Sequence, residues 1–214
     1  MQKVRILFSK KNKAKFISHL DLVRVVTRAI KRADLPIVYS QGFNPTPRLS
    51  FALPMSLGHE SECEIMNFKV DPDMSCAEIE NRLSKQLPDG FHIKDVYIPD
   101  DNGAELYAAE YSIIIYGNTV NNEDIVKILE QPTAEIIKKT KSGEKLTDIK
   151  PFIYKYAVES NDDKILLTCV LNAKDPHFLN PEYVVKLLFE KLSVQFEYSI
   201  LRNEIYDEKM NVYR

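Results

Sequence analysis

The order in which strand and helix signals follow one another limits this chain more than any single motif does. Val4 to Ser9 (VRILFS) reads as a strand. Ser18 then holds the place of a helix N-cap, with Asp21 three residues on as a variant capping box. At about 100° per residue, Leu22, Val23, Val26, Ile30 and Ala33 share one face of a helix that ends near Ala33. Strand pieces follow at Ile37–Ser40 and Leu49–Leu53, then a turn around Gly58 and a strand from Cys63 to Val70. Asp71-Pro72 opens a helix from about Ser75 to Leu87, Pro88-Asp89-Gly90 closes it, and Phe91 to Ile98 is the next strand. The same order recurs. Glu110 to Tyr116 is a strand, and Asn122 to Gln131 is a helix stopped by Pro132. Ala134–Lys139 and Ile149–Glu159 flank a turn at Ser142-Gly143, and Lys164–Leu171 is a strand. Asn180 caps a helix with Pro181 at its first position, and Phe196–Tyr206 closes the series. Two βαββαβ units imply an α+β chain of tandem ferredoxin-like architecture, antiparallel sheets each covered by helices on one face. The units are expected at residues 1–100 and 104–214, joined at Asp100-Asp101-Asn102-Gly103.

Between the second and third strands of the first unit lies YSQGFNPTPRLSFALP, Tyr39 to Pro54. Gly42 is free to take a positive φ. Pro45 and Pro47 fix their own φ and drive Asn44 and Thr46 into extended conformations. The loop is therefore expected to be stiff while carrying Tyr39, Ser40, Gln41, Asn44 and Arg48, side chains with donors or acceptors. A rigid polar loop on a scaffold is a common way to build a binding site. The plainer reading is a proline-stapled connection, although about 4–6 residues would suffice for that.

Charge adds to the argument. The chain has a net charge of −2, yet its first sixty residues hold eleven Lys and Arg against Asp21, Asp34 and Glu60. A basic half on an acidic protein suggests a surface that faces a polyanion. Lys10, Lys11, Lys13, Arg24, Arg28 and Arg48 are the cations expected to neutralise phosphates. A solvated helix face explains the Arg24, Arg28, Lys31, Arg32 stripe equally well. In the second unit, Lys138, Lys139, Lys141, Lys145 and Lys150 surround a glycine turn that would clamp a phosphate backbone, or merely guard a hairpin edge. Cys63, Cys76 and Cys169 are scattered, and no HExxH, Walker loop or GxGxxG occurs, so neither metal nor cofactor is expected. No apolar run approaches the roughly 20 residues needed to span a bilayer, and the start lacks a signal-peptide core. The expectation is a cytoplasmic protein.

The stretch FISHLDLVRVVTRAIKRADLPIVYSQGFNPTPRLSFALPMSLGHESECE, Phe16 to Glu64, resembles the radical-SAM-linked proteins, a bacterial family of unknown function. Its members occur fused to the C-terminus of radical SAM enzymes or encoded beside one. The resemblance therefore implies a radical SAM enzyme as partner. The neighbouring genes, often a ribonuclease G and ribosomal proteins, imply RNA. The family commonly carries His where this chain has Thr46, which weakens a metal ligand or general base on the loop. The chain also lacks the CxxxCxxC of a radical SAM cluster.

The expected function is a non-catalytic RNA-binding or substrate-presenting accessory. Its site would comprise His19, Arg24, Arg28, Tyr39, Ser40, Gln41, Gly42, Asn44, Pro45, Arg48, Lys138, Lys139 and Lys141. His19, Gln41, Asn44 and Arg48 are expected to line one pocket, with the loop folded back over the sheet. Tyr39 or Phe43 is expected to stack a base, or each to be a core residue, the core being the favoured reading for Phe43. Two other readings stand beside it. One is a metal-independent endoribonuclease resembling the CRISPR repeat-cleaving RNases, with His19 as its sole candidate acid or base. The other is a pure protein-interaction module.

Overall fold

A computed structural model of the chain describes residues 1–71, 73–100, 105–140, 143–161 and 163–214. Of the expected linker, Asp101 to Gly103 lie outside these residues. Helices and antiparallel strands are mixed along the chain, with four α-helices among the described residues. The chain divides into two compact units, Met1–Ala104 with Arg214, and Glu105–Tyr213.

In the first unit the elements are β1 (Gln2–Lys10), α1 (His19–Arg32), β2 (Ser50–Phe51), β3 (Glu60–Val70), α2 (Cys76–Ser84) and β4 (Phe91–Tyr97). The strands pair antiparallel in the order β4-β1-β3-β2. Alternation decides which side chains face the helices. Val4, Ile6 and Phe8 of β1 and Met66, Phe68 and Val70 of β3 form one core with Leu22, Val26 and Ile30 of α1 and Ile79 and Leu83 of α2. Each such side chain, fully buried, is worth roughly 1.5–3 kcal/mol. The helix start follows the sequence. Ser18 Oγ accepts the Asp21 amide N–H at 3.2 Å, and its hydroxyl donates to Asp21 Oδ2 at 2.8 Å. That hydroxyl and the Arg24 guanidinium hold the Asp21 carboxyl below the usual carboxylate range.

The second unit is built from β5 (Leu106–Tyr116), α3 (Asn122–Glu130), β6 (Glu135–Thr140), β7 (Gly143–Asp148), β8 (Ile153–Asn161), β9 (Lys164–Asn172), α4 (Glu182–Leu192) and β10 (Glu197–Asp207). Its main sheet runs β10-β5-β9-β8, all antiparallel. Here the expectation needs correcting. Ala134–Lys139 and Ile149–Glu159 do not pair across the glycine turn; β6 pairs with β7 as a separate hairpin. The strand expected from Ile149 begins only at Ile153, after a short 3-10 turn at Lys150–Phe152. Pro151 has no N–H to give a ladder, and Asp148 Oδ1 fastens the hairpin base by accepting from Ala134 N at 2.7 Å and Lys150 N at 3.0 Å. The cap position falls at Pro181, one residue after the expected Asn180, whose Oδ1 nonetheless accepts the Glu182 N–H at 3.1 Å.

Gly90 holds the turn into β4 with φ +90°, and its carbonyl accepts the Lys11 N–H at 2.8 Å. A Cβ there would meet Lys11 O at 2.6 Å and Ala14 Cβ at 2.8 Å. Gly90→Ala is expected to lower unfolding stability by roughly 1–3 kcal/mol. In a urea titration the midpoint should fall with the slope unchanged.

Candidate functional site

The side of β3 away from β1 is paired in two separate places by the segment before it. Ile37 bridges Val70, and Val38 donates to the Lys69 carbonyl at 2.9 Å. Ser50 then stands opposite Asn67, Phe51 opposite Met66, and Ala52 donates to Ile65 O at 3.0 Å. At Phe68 the chain leaves that side and returns. The excursion zips onto itself instead of folding back over the sheet. Arg48 N donates to Val38 O at 2.9 Å, Tyr39 bridges Pro47, and Ser40 N donates to Thr46 O at 2.8 Å. The Ser40 side chain completes the closure, accepting from Thr46 N at 3.0 Å with the two hydroxyls 3.2 Å apart. Gly42 sits in the tip at φ +131°, the conformation that requires glycine. The tip, Gln41 to Pro45, is exposed throughout. The expectation that Phe43 belongs to the core is overturned, because its side chain is 107% exposed. Three residues beyond the Ser40–Thr46 closure, it has nothing to pack on.

The polar positions on β1 and β3 alternate with the core positions and fall on the sheet face away from the helices. There Lys3 stands directly opposite Lys69, and Arg5 directly opposite Asn67. Buried Arg5 donates through Nε to Asn67 Oδ1 at 2.7 Å. A cavity of about 570 Å³ runs from Lys3 across Asn67 and Lys69 to Arg48 and Ser50 at the loop root. Val38, Pro47 and Leu49 supply its apolar wall. Among the described residues no carboxylate lines it. Sequence reasoning found Arg48 and missed Lys3, Asn67 and Lys69. Their signal was the alternation of MNFKV, but the register that sets Lys3 against Lys69 is a pairing fact.

The other expected residues are dispersed. His19, Gln41 and Asn44 do not line this cavity. The His19 ring meets Phe51 edge-on at 5.4 Å, and its Nδ1 is buried with no hydrogen-bond partner. Arg24 pairs with Asp21 at 2.7 Å while remaining 70% exposed. Arg28 and Lys13 are exposed on or beside α1. Lys10, expected on phosphate, is a correction: it is 1% exposed and donates to the Ile17 carbonyl at 2.9 Å. Lys11 pairs with Glu62, whose carboxyl is raised by partial burial but held below the usual range overall by Lys11 and Lys94. In the second unit Lys138 donates to Phe178 O at 3.3 Å and lies 5.2 Å from the Tyr183 ring centre, so it packs rather than reaches outward. Lys139 lies on β6, and Lys141 is outside the described residues. Among the described residues no group of three or more His, Cys, Asp or Glu is arranged to hold a metal, and no helix is long and apolar enough to cross a membrane.

Residues 3–181 match the family described as "Uncharacterized protein conserved in bacteria (DUF2344)". The chain belongs to this family. No curated protein matches the sequence. Among solved structures, a Cbf5-Nop10-Gar1 complex is 11% identical, with a TM-score of 0.53 over 94% of this chain and 48% of that one. An H/ACA ribonucleoprotein bound to a substrate RNA containing 2′-deoxyuridine is 12% identical, with a TM-score of 0.49 over 94% and 46%. Cse3 of Thermus thermophilus, bound to an RNA representing a pre-cleavage complex, is 12% identical, with a TM-score of 0.28 over 92% and 99%. The DUF2344 chain spans about half the length of the first two of these, and the likeness to the first is one of fold.

Ser40→Ala removes the hydroxyl that closes the loop. The expected loss is about 1 kcal/mol, confined to the excursion. Hydrogen exchange should quicken at the Ser40, Thr46 and Arg48 amides, while the global unfolding midpoint stays near its wild-type value.

Proposed function

We propose that this DUF2344 chain is a non-catalytic RNA-binding accessory that presents substrate to a radical SAM enzyme. One observation carries the reading: a fully exposed Phe43 on a self-closed loop whose root bears Arg48, beside Lys69. Leaving a phenylalanine in water forgoes roughly 1.5–3 kcal/mol of burial. A base stacked on it recovers that surface, and sequence-tolerant stacking beside cations is the usual design of single-strand binding. Gln41 and Asn44, exposed on the same tip, supply donors and acceptors for base edges. The partner rests on the resemblance of Phe16–Glu64 to radical-SAM-linked proteins.

The strand order within each unit supports a tandem ferredoxin-like reading, the second unit carrying the β6–β7 hairpin as an insertion. The domains are then 1–100 and 104–214. Three free cysteines suit a reducing cytoplasm. The endoribonuclease alternative gains nothing from the surroundings of His19, whose ring neighbour is Phe51. The interaction-module alternative has one observation in its favour. Phe16, Leu20 and Leu57 are exposed, and Gly58 N–H donates to Lys15 O at 2.8 Å, which holds the Leu57 turn beside Phe16.

The test is binding of a fluorescent single-stranded RNA across a salt series. Phe43→Ala should weaken binding by roughly 5- to 150-fold, the equivalent of about 1–3 kcal/mol of stacking, with the salt slope unchanged. Arg48→Ala should flatten the slope by about 0.7 if it neutralises one phosphate. Absence of salt-dependent binding by the wild-type chain, with retained capture of the radical SAM enzyme, would favour the interaction module instead.

A further inference from the structure

Building on the RNA-binding reading, we infer that the cavity across β3 is a phosphate socket for a nucleotide, its apolar wall facing the sugar or base. The cation arrangement is the first reason. Lys3 and Lys69 occupy directly opposed positions of an antiparallel pair. Both residues line the cavity, so cations reach it from two paired strands. Arg48 approaches from the loop root, and among the described residues neither it nor Lys69 has a carboxylate partner.

The hydrogen-bonding polarity is the second reason. Asn67 Oδ1 is already occupied by Arg5 Nε at 2.7 Å, which leaves the Asn67 amide its two N–H donors. Ser50 adds a hydroxyl. Among the described residues the polar side chains of the lining are therefore donors or can act as donors, and none is acidic, the complement of a phosphate and not of a cation. A phosphate takes donors on every free oxygen, and an arginine fork beside lysine point charges is the usual way to supply them.

Size and position are the third reason. The volume, about 570 Å³, lies in the range of small-molecule sites and exceeds what a bare phosphate fills. Val38, Pro47 and Leu49 give the remaining space an apolar wall. Phe43 and Pro47, which lines the cavity, are four positions apart, so their Cα atoms are at most about 14 Å apart. A short single strand spans that gap, its base on Phe43 and a phosphate in the socket. A free nucleotide offers the same phosphate chemistry.

The experiment uses the full chain and three probes: inorganic phosphate, uridine 5′-monophosphate and a short single-stranded RNA. Phosphate and the mononucleotide are expected to raise the wild-type melting temperature. Lys69→Gln, at an exposed position that should leave folding intact by circular dichroism, is expected to weaken both at least tenfold. It should also flatten the RNA salt slope by about 0.7. Lys3→Gln should do the same, and Lys191→Gln on α4 should do neither. The socket is overturned if phosphate and the mononucleotide leave wild type unchanged, or if Lys69→Gln and Lys3→Gln alter nothing. If RNA still binds through Phe43 in that case, the RNA reading stands without the socket. If phosphate and mononucleotide bind through Lys69 but RNA does not, the socket stands as a free-nucleotide site and the RNA reading falls.

Discussion

Backbone hydrogen bonding along the side of β3 away from β1 governs the rest of the first unit's functional surface. A strand edge offers carbonyls and amides that must find partners or water. Here the edge is satisfied at Lys69 and Val70 by one stretch of chain and from Ile65 to Asn67 by another. Everything between those stretches is released from the sheet. Proline at 45 and 47 keeps the released segment from rejoining it, since neither can donate to a ladder. The excursion must then satisfy its own backbone, and the Val38–Arg48 and Ser40–Thr46 bonds do so.

The same sheet separates two chemistries by parity alone. Val4, Ile6, Phe8, Met66, Phe68 and Val70 enter the helix-packed core, while Lys3, Arg5, Asn67 and Lys69 face the other way. The cations of α1 therefore belong to a different surface from the cations around the cavity. Arg24 is matched to Asp21, whose carboxylate sits favourably in the first turn of the helix. Counting the basic residues of the first sixty positions as one patch merges groups that the sheet keeps apart.

Local signals carried most of the elements. Ser18, Ser75 and Asn121 each accept an amide three residues on and start the helices that their positions imply. The failures have physical causes. Lys10 is expected on phosphate, yet it shares the parity of Val4, Ile6 and Phe8, and its ammonium reaches the Ile17 carbonyl. Phe43 was read as core from its hydrophobicity, but its exposure is fixed by the closure beneath it. The β6–β7 hairpin and the start of β8 depend on Asp148 and Pro151 working together, which periodicity does not register. The Lys3–Lys69 opposition joins residues far apart in sequence, and only the register brings them together.

Because the excursion begins and ends on nearly adjacent partners of one strand, the sheet is indifferent to what happens inside it. Lengthening a flexible loop twofold costs only about 0.6 kcal/mol in closure entropy. A chain of this design can exchange or extend the Gln41–Pro45 tip while the Val38–Ser40 and Thr46–Arg48 stem, the edge pairing and the core keep their contacts. The contact tip is thus modular: it can be varied or transplanted as a unit, with Val38 and Arg48 as the points at which it is spliced in.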